Sequence, residues 1–449
     1  MSRLWDRGQS LDERIERFTT GRDPELDLRL VAFDALASTA HALMLHRIGV
    51  LTNDELAGLR RELRLIVEDA REGRFTISTG DEDGHTAIEN RLTERLGDAG
   101  RRIHTGRSRN DQVIAALRLW GREQVLEQIE ATLEVVRRLL RLAEEHGETS
   151  LPGYTHTRQA MPSTLGFLFA AHAENLLDDI PWMETAFHHL NRSPLGSASG
   201  YGVALPLDRP LVARLLGFER VQANTLAVQN DRGKSESLAL GAGATAALDL
   251  GRLADDLIWF SSEELGCIRL DDRVTTGSSI MPQKRNPDVL ELIRASAAKL
   301  RSRQAEIGAV YSHLPSGYHR DLQLTKEPFL EGMQGVGDVL VAILPVLDTL
   351  RVDRERCRQV MQRSIGATDA VYQRVAAGEP FRSAYKAIAG DPAGAVSGDP
   401  AEAWRQRTHL GAPGALDLEP YRTVSEAARE RLEGLQRPVA AAWQLVDPE

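Results

Sequence analysis

The chain has 449 residues, 42% of them hydrophobic and 27% charged, with a formal net charge of −10. That length calls for two or three domains, and the apolar content excludes a disordered chain. The acidic balance argues against a general nucleic-acid or membrane-surface binder, since both need a positive face.

The two cysteines, Cys267 and Cys357, lie far apart in sequence without His or Cys at metal spacing. This argues against a disulfide framework or a structural zinc site and fits a reducing cytoplasm. The first 18 residues carry no apolar core of the kind a secretory signal needs. No uninterrupted apolar run approaches the roughly 20 residues of a membrane span. Val339–Leu350, interrupted by Pro345 and Asp348, reads as a buried core helix.

Helical periodicity dominates the rest. Shorter helices are predicted over Asp23–Ile48 and Thr52–Glu72, followed by the polar stretch TGDEDGHTAIE. In Val113–Ala143 the apolar residues Val113, Leu117, Trp120, Val125, Ile129, Leu133, Val136 and Leu140 recur three to five apart, one stripe on a helix of about eight turns. Thr225–Glu264 reads similarly, its Ala and Gly residues permitting close helix approach. A third long helix is predicted from Pro287 to about Val310, with Asn286 as N-cap and Pro287 in the first turn. No comparable set of alternating, strand-like segments appears. After about residue 360 Gly and Pro become frequent, as in GDPAGAVSGDP. The expected organisation is all-α with three domains: an N-terminal helical domain (1–105), a central long-helix bundle (106–360) and a small, loop-rich C-terminal domain (361–449).

Four segments carry candidate chemistry. TTGSSIMPQKRNPD (275–288) is a polar loop with paired serines and a lysine, ahead of a helix start. A serine hydroxyl is a poor base until its alkoxide is stabilised, which an ammonium, backbone N–H groups or a helix N-terminus can do. A flexible loop that merely caps a helix is the plainer account of such residues. GYTHTRQAMP (153–162) places Thr155 and His156 ahead of a predicted helix. HTGRSRNDQV (104–113) concentrates cations in an otherwise acidic chain, with helix capping the competing account for Ser108 and Asn110. YHRDLQLTK (318–326) contains one of only five lysines among 55 cationic residues, and the Ser loop contains another. Where arginine is otherwise the rule, such a lysine marks a place for a compact ammonium.

The Ser loop resembles the GSSxMPxKxNP loop of the fumarase/aspartase superfamily, and GYTH matches its GYTHxQxAxP region. HTGRSRNDQV and YxRDLQxxK resemble, within it, the argininosuccinate lyase family. Similar segments, GHTAIE around His85 and PLGS at 194–197 among them, run from about residue 25 to 390. The resemblance implies an all-α, three-domain fold of that superfamily, assembled as a homotetramer around a shared bundle. It implies a cytoplasmic carbon–nitrogen lyase acting on a small molecule by general acid/base β-elimination, with no cofactor, metal, nucleic acid or membrane involved. Ser278 would be the base, Lys284 the loop ammonium, and His156 the proton-handling residue opposite it. Glu291 would orient His156, an exposed helix charge being its plainer reading. His85, Ser108, Arg109, Asn110, Thr155, Asn286, Tyr318, Gln323 and Lys326 would contact substrate. A sibling lyase acting on adenylosuccinate, or a catalytically silent crystallin-like protein on the same fold, are the alternatives.

The chain departs from the commoner pattern at Gly21, Gly84, Arg158 and Gly233, which leaves Arg232 matched. Its LW-x-x-G opening (residues 4–8) and the GYG after PLGSAS resemble a bacterial subgroup.

Overall fold

A computed structural model describes residues 12–78 and 81–447; the LW-x-x-G opening and the Thr79–Gly80 part of the polar stretch lie outside them. The fold is all-α. Five long helices, Arg109–Glu145, Leu165–Leu190, Lys234–Ser261, Asp288–Tyr311 and Lys326–Thr349, pack side by side into one bundle. Each buries a leucine- and alanine-rich stripe in a single continuous core that includes Ile129, Leu133, Val136, Phe169, Leu250, Phe329 and Leu340. Such helices outrun what propensity alone stabilises, so packing of those stripes is what holds them. The longest, Arg109–Glu145, begins at a capping box: the Ser108 hydroxyl and the Asp111 carboxylate satisfy each other's backbone N–H groups. Asp111 also accepts the N–H groups of Gly196 at 3.1 Å and Ala198 at 2.9 Å, pinning the PLGSAS loop to this helix start.

A second core lies under Val31–Arg47, Asn53–Arg71 and Gly84–Leu96, with Leu36, Leu45, Leu63 and Ile88 inside it. After the bundle, Arg354–Gln359, Ala367–Ala376 and Phe381–Ala389 form small satellites. Glu419–Trp443 then returns along the bundle, where the Trp443 indole N–H donates to Glu123 and its ring meets Phe33 edge-on.

Several sequence expectations shift. The Asp23–Ile48 segment divides into Asp23–Asp27 and Val31–Arg47. The Thr225–Glu264 pattern breaks into Thr225–Asn230 and Lys234–Ser261 at Gly233, whose φ of +86 takes it out of the helix. Asn286 is not an N-cap: it pairs with Thr276 in a two-residue ladder, and the helix starts at Asp288 behind Pro287. Thr155 and His156 do not lead into a helix. They sit at the tip of an antiparallel hairpin, Ser150–Thr155 with Arg158–Thr164, and the helix begins only at Leu165. The strands are few and short, all in two-stranded pairs. Arg320–Thr349 is long and apolar enough by composition to cross a membrane, and half of its apolar window is buried inside this bundle.

Helix contacts are tight at Gly166. A Cβ there would lie 2.4 Å from the carbonyl oxygen of Ala143 and 2.6 Å from Cα of Gly147, both backbone atoms that cannot swing aside. Gly166→Val should therefore destabilise the protein by more than the roughly 1–3 kcal/mol of ordinary overpacking. Asp111→Ala, which strands three backbone N–H groups, should cost a similar amount. Urea unfolding checks both, and a midpoint within error of the wild type would contradict this packing account.

Candidate active site

The candidate residues fall into two groups, set apart by the bundle. Ser108, Arg109 and Asn110 stand at the first turn of the Arg109–Glu145 helix, and the His156 hairpin follows its far end. At 1.5 Å per residue, 37 residues span about 55 Å.

The first group is a dense charged cluster. Lys326, 2% exposed, puts its ammonium 2.6 Å from Asp27 and 3.0 Å from Asp23. Burial disfavours that charge, but the two carboxylates more than compensate and raise its pKa. Asp27 also accepts the backbone N–H of Gly84 at 3.0 Å. Next along the chain, His85 is buried with Nδ1 2.5 Å from Asp34. Burial pushes the imidazole toward neutrality; Asp34, with Asp83 and Asp27 behind it, outweighs that and lifts the pKa to about 9. Arg109 reaches Glu82 at 3.0 Å and Asp83 at 3.4 Å. The YHRDLQLTK segment closes the cluster: Gln323 donates to the Thr19 carbonyl at 2.9 Å, and Arg320 donates to the same carbonyl and to Glu82. Tyr318, half-buried, lies under the guanidinium of Arg232, 5.5 Å from ring centroid to Cζ. His85, Arg109, Gln323 and Lys326 are thus brought together, with Ser108 and Asn110 on the same helix start and Tyr318 alongside on the Arg232 edge.

Sequence reasoning missed the carboxylates that organise this cluster, Asp23, Asp27, Asp34, Glu82 and Asp83. The scarcity of lysine was the available signal for two of them, since a lysine this deeply buried requires a counter-charge. Arg232 was noted only as a matched position. It is 3% exposed and its Nε has no hydrogen-bond partner among the described residues.

The second group is open to solvent. Thr276–Gly277 pairs with Arg285–Asn286 and closes residues 278–284 into a loop. At its base the Ser278 Oγ accepts the backbone N–H groups of Met281 at 3.1 Å and Ile280 at 3.3 Å. Two N–H dipoles aimed at one hydroxyl oxygen would stabilise it as an alkoxide. Ile280 is 86% exposed, and Lys284 and Glu291 face solvent as well. Thr155 and His156 are exposed at the hairpin tip. His156 and Thr157 both take positive φ, 54° and 57°, the signature of a two-residue turn that holds the ring out from the bundle. Among the described residues of one chain, no hydrogen bond or ion pair joins His156 to Glu291, or either to Ser278.

Two consequences can be measured. Lys326→Met leaves the buried Asp27 and half-buried Asp23 carboxylates without their cation and should cost about 3–5 kcal/mol of stability, partly restored by adding Asp27→Asn. His85 has a folded pKa raised above its ordinary value, so its contribution is fully present below about pH 6.5 and is lost as pH rises through about 9. Holding that charge in the folded protein contributes roughly 3 kcal/mol near neutral pH. Denaturant unfolding at pH 6 and pH 10 should show that loss in the wild type and not in His85→Gln. Equal slopes would sink the pairing.

Comparison with known proteins bears on the whole chain. The family described as Lyase matches residues 8–301. The argininosuccinate lyase of Sorangium cellulosum (strain So ce56) is 44% identical over 417 residues, covering 93% of this chain and 97% of that protein. That of Stenotrophomonas maltophilia (strain K279a) is 44% identical over 427 residues, covering 94% and 99%. Among solved structures, EDDS lyase in complex with formate superposes with a TM-score of 0.78 at 24% identity, covering 98% of this chain and 96% of that one. A fumarate lyase:delta crystallin from Brucella melitensis gives 0.67 at 19%, covering 92% and 95%. These two structures share the fold. With relatives this similar from end to end, the chain belongs to the argininosuccinate lyase family of carbon–nitrogen lyases.

Proposed function

We propose that this protein cleaves argininosuccinate into L-arginine and fumarate, in the cytoplasm, as the last step of arginine biosynthesis. The observation that carries this reading is the Ser278 hydroxyl held by two backbone N–H groups, in a loop of the superfamily's pattern, in a chain 44% identical to argininosuccinate lyases.

The substrate's succinyl part sets the chemical problem. The carbon next to the C–N bond carries protons that become acidic only if the neighbouring carboxylate can take up the charge. Ser278 removes one of them. The loop amides, Lys284 and Asn286 hold the doubly negative carboxylate that results. His156, oriented by Glu291, manages protonation on the opposite side as the guanidino nitrogen departs. Each oriented donor is worth about 3–4 kcal/mol, and a positioned acid or base roughly 10²–10⁴-fold, so electrostatic pre-organisation is the larger contribution. Arg109, Asn110, Ser108, Thr155 and His85 meet the substrate's carboxylates, while Tyr318, Gln323 and Lys326 contact the rest. Closure of the exposed Ser loop excludes water. No step calls on a cofactor or metal.

The site is proposed to form in a homotetramer, with the 104–113, 153–162 and 275–288 segments coming from three subunits. The bundle length supports this, since one chain holds the first two far apart. So does the apolar surface left on bundle helices: Trp182 is 66% exposed, Leu292 67% and Val341 61%.

Argininosuccinate should yield fumarate, followed by its ultraviolet absorbance, and adenylosuccinate should not; the reverse result would move the chain to a sibling lyase. Ser278→Ala should lose at least 10²–10⁴-fold in kcat with assembly intact. Subunit sharing makes a sharper prediction. Ser278→Ala and His156→Asn, each inactive alone, should recover roughly a quarter of wild-type activity when refolded together in equal amounts, because half of each donor position is then native. Zero recovery, with mixed tetramers present, would place both residues in one subunit's site.

A further inference from the structure

We propose that Asp34 is a positioning residue, holding Nδ1–H of His85 so that the ring's Nε2–H is offered as a cationic donor to a substrate carboxylate. This rests on the reading just given and adds to it a residue outside every motif.

A histidine 7% exposed is ordinarily neutral, because a buried cation loses its hydration. A neutral ring has one N–H, and the bond to Asp34 would consume it. Only a doubly protonated ring can serve Asp34 and still donate elsewhere. The surroundings favour that form. Asp34, 2% exposed and 2.5 Å away, is carried by the tightly packed Val31–Arg47 helix, so its carboxylate is fixed in place. Asp27 faces the ring from the short Asp23–Asp27 helix, and Asp83 from the N-cap of the histidine's own helix. The opposing cations are committed elsewhere: Lys326 to Asp23 and Asp27, Arg109 to Glu82 and Asp83, and buried Arg107 to the Ser38 hydroxyl at 2.9 Å. The second oxygen of Asp34 has no hydrogen-bond partner among the described residues; its carboxylate's one hydrogen bond is to the imidazolium, and Arg107 is a further cation within electrostatic reach. Nε2 of His85 makes no hydrogen bond among the described residues, and the ring shares the Asp83 carboxylate with Arg109, which opens the helix behind Ser108, where the substrate's carboxylates are proposed to bind.

The same chain supplies the test. In full-length protein labelled at histidine Cε1, the resonance absent from His85→Gln identifies this ring. It should titrate near pH 9 in the wild type and below pH 7 in Asp34→Asn. Turnover should follow the titration: Asp34→Asn should lower kcat/KM for argininosuccinate about 10- to 100-fold at pH 8, chiefly through KM, and recover as pH falls toward 6. Asp34→Asn on top of His85→Gln should add little. If Asp34→Asn fails to assemble, His85→Gln alone decides, since its kcat/KM should then lack an alkaline limb near pH 9. A His85 titration unmoved by Asp34→Asn, or an alkaline limb that survives His85→Gln, overturns the proposal. Absence of wild-type turnover would instead overturn the functional reading and the substrate half of this one, leaving the titration to judge the Asp34–His85 pair.

Discussion

A straight helix cannot bring its own ends together, and the 37 residues of Arg109–Glu145 impose that constraint on everything else here. The Ser108–Asn110 turn and the His156 hairpin are sequence neighbours of opposite helix ends, so the chemistry they share in the proposed mechanism would be completed by other copies of the chain. The same rigidity makes such an arrangement workable. Five helices locked along one core give each motif a fixed place at a bundle end, and association of bundles then sets the spacing between motifs without demanding any long ordered loop. Folding and site assembly would then be one problem, because the apolar residues left on the bundle surface are those that the proposed subunit contact would bury.

At the Arg109 end, the charges are arranged by pairing rather than by exposure. Lys326 sits between two aspartates, His85 beside one, and Arg109 against Glu82 and Asp83. Removing both partners of such a pair can be nearly neutral, whereas removing one leaves a stranded buried charge. The cluster therefore stays assembled without substrate, and a dianionic substrate would meet donors already oriented. Lys326 is in this respect a different residue from the one its motif suggests: its charge is largely spent on Asp23 and Asp27, so it contributes as much to holding Asp23–Asp27 against the bundle as to any contact with substrate.

The helices were legible because apolar spacing is a direct consequence of which face is buried. Val113–Ala143 became Arg109–Glu145 with only the capped ends added, and the capping signature Ser108–Asp111 was itself present in the sequence. What could not be read was local geometry set by tertiary contact. Gly233 interrupts a pattern whose periodicity continues through it, because the chain turns there to let Glu236 accept its N–H at 2.7 Å. Asn286 resembled a cap, but ladder pairing with Thr276 won its backbone. His156 seemed to precede a helix because the strand residues 158–164 carry too little alternation to announce themselves. The site residues were legible through resemblance, and their partners were not: an aspartate such as Asp34 in the first turn of an apolar helix gives no sign of which cation it faces.

The departures from the common family pattern show how backbone approach can take over from a side chain. Gly84 stands where valine is usual. A Cβ there would lie 3.1 Å from Cβ of Asp27 and 3.6 Å from Cδ1 of Ile77, tight enough that Asp27 would have to yield. Glycine lets the N–H of residue 84 come within 3.0 Å of the Asp27 carboxylate that also holds Lys326. Gly233 stands where aspartate is usual, and a Cβ would lie 2.8 Å from Cβ of Tyr311. In both places the replacement removes atoms and draws elements closer, at the edge of the same charged cluster. Arg158 differs, being an exposed hairpin residue paired with Thr155. None of these changes touches Ser278, His156, Lys284 or Glu291. The common effect of Gly84 and Gly233 is on how closely the Asp23–Asp27 helix and the Tyr311–Tyr318 segment approach the residues that would hold the far end of the substrate. Any difference in substrate preference from other family members should therefore arise there rather than at the reacting carbon.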